Sequence, residues 1–203
     1  MNKKNIAIAG FLIYTLVRLH GYPVTGLTLA EVSAELQDPV ATATLAFYFD
    51  GYTITNFSDY TGSHPTHNCC TTATSNGGTL SYSGVISTMP DWTNIGDQNC
   101  IARNDEWAIF VGKLTTHESE HISIGQDVYE EYKDIIEGDF DGHTESACAT
   151  TTPVARVTAE DFIALAASRE LATIVTESNA RNDNFDAEDG HAVLNASVDL
   201  MCP

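Results

Sequence analysis

NDEWAIFVGKLTTHESEHISIGQDVYEEYKDIIE, residues Asn104–Glu137, is the stretch on which the fold turns. Its apolar residues fall at Trp107, Phe110, Val111, Leu114, Ile124, Val128, Tyr132 and Ile135. Steps of three and four make this the stripe of a long amphipathic helix. Asn104 or Asp105 can cap its start, and Gly138 is placed to stop it. His117 and His121 sit four apart in the middle of that helix. At about 100° per residue, both imidazoles leave one face about a turn apart, within reach of one ion. Glu118 is offset by one position and stands beside that ion, where a carboxylate can take a proton from water. Both histidines align with Leu114 and with Ile124 or Val128, so they face inward. A single buried histidine is ordinarily satisfied by hydrogen bonds. Two of them beside a glutamate are costly to bury without a shared partner. The expected cofactor is therefore Zn2+, with His117 and His121 as ligands and Glu118 as the catalytic base.

A catalytic zinc takes a third protein ligand and leaves the fourth position to water. The short spacing of metzincins is absent, because Gly125 and Val128 occupy that stretch. The remaining candidates are Glu137, Asp139, His143, Asp186, Asp189 and His191. His143 would lie about 33 Å along the axis from His121 at 1.5 Å per residue, so its loop would have to fold back. His191 follows a second helix, which starts at Thr158 with Asp161 three residues on. Phe162, Leu165, Ala166 and Ile174 carry that helix toward Asn179. An antiparallel helix pair returns His191 to the level of the motif, and it is the preferred third ligand. Asp139 to Pro153 reads as the connecting loop. Asp139 and Asp141 do not make a calcium loop, since the twelve-residue EF-hand pattern is missing.

Before the long helix the pattern changes. Tyr22 to Thr25 reads as a short strand ending at Gly26, and Thr28 with Glu31 forms a capping box for a helix carrying Leu29, Val32 and Leu36. Asp38-Pro39 stops it after about Gln37. Leu45, Phe47 and Phe49 then alternate with Thr44, Ala46 and Tyr48, the period-two signal of a half-buried strand. Further β runs lie at Tyr52 to Thr55, Thr71 to Thr74 and Leu80 to Ser87, with Ser75-Asn76-Gly77-Gly78 as a hairpin turn between the last two. Ser58 to Asn68 reads as a polar loop, and the sheet closes at Met89-Pro90. The expected fold class is α+β: a small antiparallel or mixed sheet over about residues 22–90, packed on the long helix and on a second, C-terminal helix, in a zincin-like arrangement.

The chain has 28 acidic residues against 9 basic ones, a formal net charge of -19. Such a surface repels phosphate backbones, so nucleic acid is not an expected partner. Lys3 and Lys4 precede the apolar run Ile6 to Val17, which has the length of a signal-peptide core. Arg18 ends that run before the roughly 20 residues a spanning helix needs. Residues 1–20 are accordingly read as a signal peptide or N-terminal anchor, and residues 21–203 as one domain. Stable membrane insertion would require that the segment stay uncleaved. The expected location is secreted, periplasmic or extracellular. Cys69, Cys70, Cys100, Cys148 and Cys202 are an odd number with no C-x-x-C pair. In an oxidising compartment they allow two disulfides and one spare thiol. Cys148 with Cys202, and one of the adjacent pair with Cys100, are the pairings considered.

Trp107-x-x-Phe110-x-x-x-Leu114-x-x-His117-Glu118-x-x-His121, Tyr22-Pro23-Val24-Thr25-Gly26, the Leu29–Leu36 helix and Met89-Pro90-Asp91-Trp92 also carry a resemblance. Over roughly residues 22–191 the chain resembles a bacterial family of predicted secreted zinc-dependent proteases, catalogued as a domain of unknown function. That family's later Tyr-Asp-x-x-Thr-x-His-Gly element corresponds to Phe185-Asp186-Ala187-Glu188-Asp189-Gly190-His191. The resemblance implies zinc and proteolysis, with a peptide or protein as substrate. The competing expectation is an exported structural or adhesive domain on the same scaffold, its metal structural or absent.

Overall fold

Strand β2 (Thr42–Asp50) forms where Leu45, Phe47 and Phe49 alternate with smaller or polar residues, and Phe47 is its buried member. The computed structural model describes residues 20–26, 29–36, 41–63, 66–93 and 101–189. Among them the remaining elements are β1 (His20–Val24), α1 (Leu29–Glu35), β3 (Thr53–Thr61), β4 (Cys69–Asn76), β5 (Thr79–Trp92), α2 (Ile101–Phe140), β6 (Thr144–Ala149) and α3 (Thr152–Asp189). The fold is α+β. Its strands form two three-stranded sheets, ordered β1-β5-β2 and β3-β4-β6. The segment Met1 to Leu19, the Thr28 cap, the Asp38-Pro39 stop, Cys100, Cys202 and His191 lie outside the described residues. No helix among the described residues is long and apolar enough to cross a membrane.

Several sequence-based expectations are corrected, each because a ladder partner decided what hydropathy could not. Ser58 to Thr61 is strand, not loop, because Ser58, Asp59, Tyr60 and Thr61 pair with Thr72, Thr71, Cys70 and Cys69 of β4. The acidic side chain in that strand is satisfied laterally: the Thr71 hydroxyl donates to Asp59 Oδ1 at 2.8 Å, and Arg156 pairs with the same carboxylate. The sheet does not close at Met89-Pro90, since β1 lies parallel to β5 and holds it to Trp92, with Tyr22 opposite Pro90 and Val24 opposite Trp92. Gly77 and Gly78 do turn the chain at positive φ (68° and 133°), but β4 and β5 belong to different sheets and do not form a hairpin. The supposed connector Asp139–Pro153 contains β6, antiparallel to β4 with Cys70 opposite Cys148. Those two cysteines form a disulfide across 78 residues, which overturns the Cys148–Cys202 pairing; Cys69 is a free thiol.

The long helices are longer and differently faced than the sequence pattern predicts. Helix α2 begins at Ile101, so Asn104 and Asp105 lie inside it rather than capping it. Gly138 does not stop it. The chain leaves the helix at Gly142, whose φ of 87° suits glycine, and Ser75 Oγ donates to the last carbonyl, that of Phe140, at 2.6 Å. Near this end Ile136 is buried and Ile135 exposed, one position round from expectation. Helix α3 starts at Thr152 and runs past Asn179 to Asp189. Phe162 and Leu165 are exposed, and the buried line is Ala155, Ala159, Ile163, Ala167 and Ile174. Small side chains at four-residue spacing let a helix approach its neighbours closely, so alanines outcompete the larger residues for the inner face.

The chain divides into two compact units. Residues 47–82 and 127–177 make up one. Its core gathers Ala73, Phe140, Ala147, Ala159, Ile163 and Ala167, with Phe47, Leu80, Val128, Ile136 and Ile174 in a second cluster. Phe140 lies 4.8 Å from Phe49 and 5.6 Å from Tyr52, ring centre to ring centre. The other unit comprises the described residues of 14–46, 83–126 and 178–203. Its core is Val24, Val32, Ala41, Trp92, Trp107, Phe110 and Leu114. Trp92 packs edge-on against Trp107 at 5.4 Å, and its indole donates to Gly26 O at 3.0 Å. The Glu35 carboxylate closes the turn before α1 by accepting from Thr25 N, Thr25 Oγ1 and Gly26 N, and these bonds hold its carboxyl below the usual range.

Candidate metal centre

His117 and His121 belong to the second unit and follow Leu114 on α2, one turn apart on the face that buries Trp107, Phe110 and Leu114. The end of α3, residues 178–189, belongs to the same unit and brings Asp186 to them. Asp186 Oδ1 lies 3.1 Å from His121 Nε2 and 3.3 Å from His117 Nε2, and the two nitrogens are 3.2 Å apart. The imidazole side chains are only 9% and 13% exposed, and the Asp186 carboxylate is the most open of the three at 32%.

A short relay on α3 fixes one of these rings. Asn182 Nδ2 donates to the carbonyl of Ser178 at 2.8 Å, which turns Asn182 Oδ1 toward His121 Nδ1, 2.7 Å away. An amide oxygen only accepts, so the proton of a neutral His121 sits on Nδ1 and Nε2 carries a lone pair. That lone pair, Asp186 Oδ1 and His117 Nε2 then converge with at most one N–H among them. Asp186 Oδ1 is buried and has no hydrogen-bond partner among the described residues. Two imidazole nitrogens and a carboxylate oxygen are a donor set suited to zinc, and a cation is what such an arrangement of electron pairs accommodates. These three residues are the group able to hold a metal among the described residues. Phe185 closes the cluster on one flank, stacked on the His117 ring at 5.0 Å and edge-on to His121 at 5.1 Å.

Glu118, on the same helix, is 6% exposed, the one buried carboxylic acid among the described residues. Burial pushes its carboxyl pKa up; the charges of His121 and His117 and a hydrogen bond from the Ala43 backbone pull the other way, and Asp186 adds to the rise. Ala43 is on β2, so the strand holds this carboxylate beside the histidine pair.

The other candidate ligands have different occupations. Glu137 accepts from Leu80 N at 3.0 Å, Asp139 is exposed, and His143 stacks on Phe140 and meets Glu145 at 3.3 Å. These three lie in the first unit. Asp189 is the last residue of α3, and His191 lies outside the described residues. Asn182 and Phe185 are not among the ligand candidates that the sequence pattern offers. Their signal was present: Ser178, Asn182 and Asp186 recur every four residues, a polar line down one face of a helix that the apolar pattern ended at Asn179.

The chain is thus an α+β protein whose long helix carries a His-Glu-x-x-His segment, with an aspartate from a second helix completing a candidate three-ligand metal centre. Residues 19–192 match the family described as "Bacterial protein of unknown function (DUF922)", and the chain belongs to that family. No curated protein and no solved structure matches it.

Proposed function

We propose that this protein is a zinc-dependent peptidase, with His117, His121 and Asp186 as metal ligands and Glu118 as the general base. The observation that carries the reading is the convergence of His117 Nε2, His121 Nε2 and the unpartnered Asp186 Oδ1 within 3.3 Å of one another. When bound, zinc supplies Lewis acidity, polarising a carbonyl and making water more acidic. The chain's own groups do the rest. Glu118 Oε accepts the proton of the attacking water and returns it to the departing amine. The Ala43 amide holds that carboxylate in place, and Phe185 shields the imidazoles from solvent.

The test compares wild type with Glu118→Gln, reading zinc content and cleavage of a quenched-fluorescent peptide library. The variant should keep its zinc and lose about 10²–10⁴-fold in rate, the usual contribution of a general base. A Glu118→Gln protein with full activity would sink the mechanism. Asp186→Ala should lose zinc; if His191→Ala loses it as fully, His191 joins the ligand set.

A second reading has an observation of its own. Glu118 is deeply buried and engaged with a strand backbone, as a structural carboxylate would be. On that reading the metal ties α3 to α2 in an exported structural or adhesive domain. Stoichiometric zinc with no turnover of any library peptide would favour it.

A further inference from the structure

We propose that Asn182 is a positioning residue that fixes His121 in its Nδ1-protonated form, so that the ring presents its Nε2 electron pair to a metal. The inference rests on the zinc reading only for its consequence; the proton position itself is a property of the metal-free chain. Four contacts carry it. Asn182 Nδ2 donates to Ser178 O at 2.8 Å and approaches Ser178 Oγ at 3.4 Å, and Ser178 is itself buried. The amide is therefore held with its oxygen outward, and that oxygen meets His121 Nδ1 at 2.7 Å. Phe185, edge-on at 5.1 Å, limits rotation of the same ring. Asn182 and Asp186 are four residues apart on α3, so one turn of helix supplies both the oxygen that orients His121 and the oxygen that faces its other nitrogen. Removing a hydrogen-bond acceptor behind a ligating imidazole commonly weakens metal binding about 10–100-fold.

The experiment uses the full chain with zinc chloride and a competing chromophoric chelator, alongside long-range proton–nitrogen NMR of His121 in the metal-free protein. Wild type should show His121 protonated on Nδ1. Asn182→Leu should lose that preference and bind zinc about 10–100-fold more weakly. Asn182→Asp keeps an acceptor toward Nδ1, so it should retain the tautomer and hold zinc at least as tightly as wild type. An Asn182→Leu protein with unchanged tautomer and unchanged affinity overturns the proposal. So does an Asn182→Asp protein as weakened as the leucine variant, since packing would then be the cause. If wild type takes up no zinc at all, the peptidase reading fails, while the tautomer measurement still decides the role of Asn182.

Discussion

The two units bury different kinds of surface. Residues 47–82 and 127–177 hide aromatic and aliphatic side chains around Phe140, and the polar residues buried there, Thr71 and Ser75, are hydrogen-bonded to neighbours. The other unit has an apolar cluster of its own around Trp92 and Trp107. Beyond that cluster it buries Glu118 and an orphaned carboxylate oxygen and largely covers two imidazoles. Apolar burial stabilises unconditionally, at about 25 cal/mol per Å². Grouped ionisable side chains stabilise only when something satisfies them. The first unit should therefore be as stable as its packing, and the second as stable as its occupancy allows.

Phe140→Ala tests the first half of that contrast and should have the largest effect. Its ring is 2% exposed and meets Phe49, Tyr52 and His143, so truncation should cost about 3–5 kcal/mol in a urea titration. Zinc affinity measured below the transition should stay within about twofold, as for sites without shared partners. A larger change would break the contrast.

The second half is probed by adding metal. Zinc at a hundred times its dissociation constant should raise stability by about 2.7 kcal/mol, and His121→Ala should abolish the shift. A wild-type protein equally stable with zinc and with chelator would refute the dependence on occupancy. Trp92→Phe separates the apolar cluster of the same unit from its metal centre. Losing the indole bond to Gly26 O should cost about 1–2 kcal/mol with or without zinc, read as a change in the urea midpoint. The smallest effect belongs to Asp59, whose carboxyl is held low by Arg156 first and by the Thr71 hydroxyl second. A lowered folded pKa means its stabilisation is present above the ordinary carboxylate range and fades as pH falls through the folded value. Asp59→Asn should lower stability slightly at neutral pH and converge with wild type at the acid end, flattening the acid limb of the stability profile.

The histidine pair was legible in the sequence because its chemistry and its spacing coincide on an apolar stripe anchored by Trp107, Phe110 and Leu114. Strand β2 was legible for the same reason, since Phe47 and Phe49 advertise a period of two. Strand β6 was not. Thr144-Glu145-Ser146-Ala147-Cys148-Ala149 has no hydrophobic signature, and only the edge of β4 makes it a strand. The inner face of α3 was misjudged because the alanines at 155, 159 and 167 carry little hydrophobic signal yet pack closest. The same bias ended α3 ten residues early and hid the line of Ser178, Asn182 and Asp186. Composition points to where chemistry sits on a strongly patterned helix. It is quiet about the partner that a weakly patterned helix brings.

The bond between Cys70 and Cys148 turns the intervening chain into a covalent ring that encloses all of α2. By the chain-entropy account, closing a ring of this size restricts the unfolded protein by about 4–5 kcal/mol. It also sorts the candidate ligands by tether. One nick anywhere between Cys70 and Cys148 leaves His117 and His121 attached to both fragments until a reductant is added. One nick between Cys148 and Asp186 falls outside that ring, so the Cys70–Cys148 bond does not hold the aspartate-bearing tail to the histidine-bearing segment.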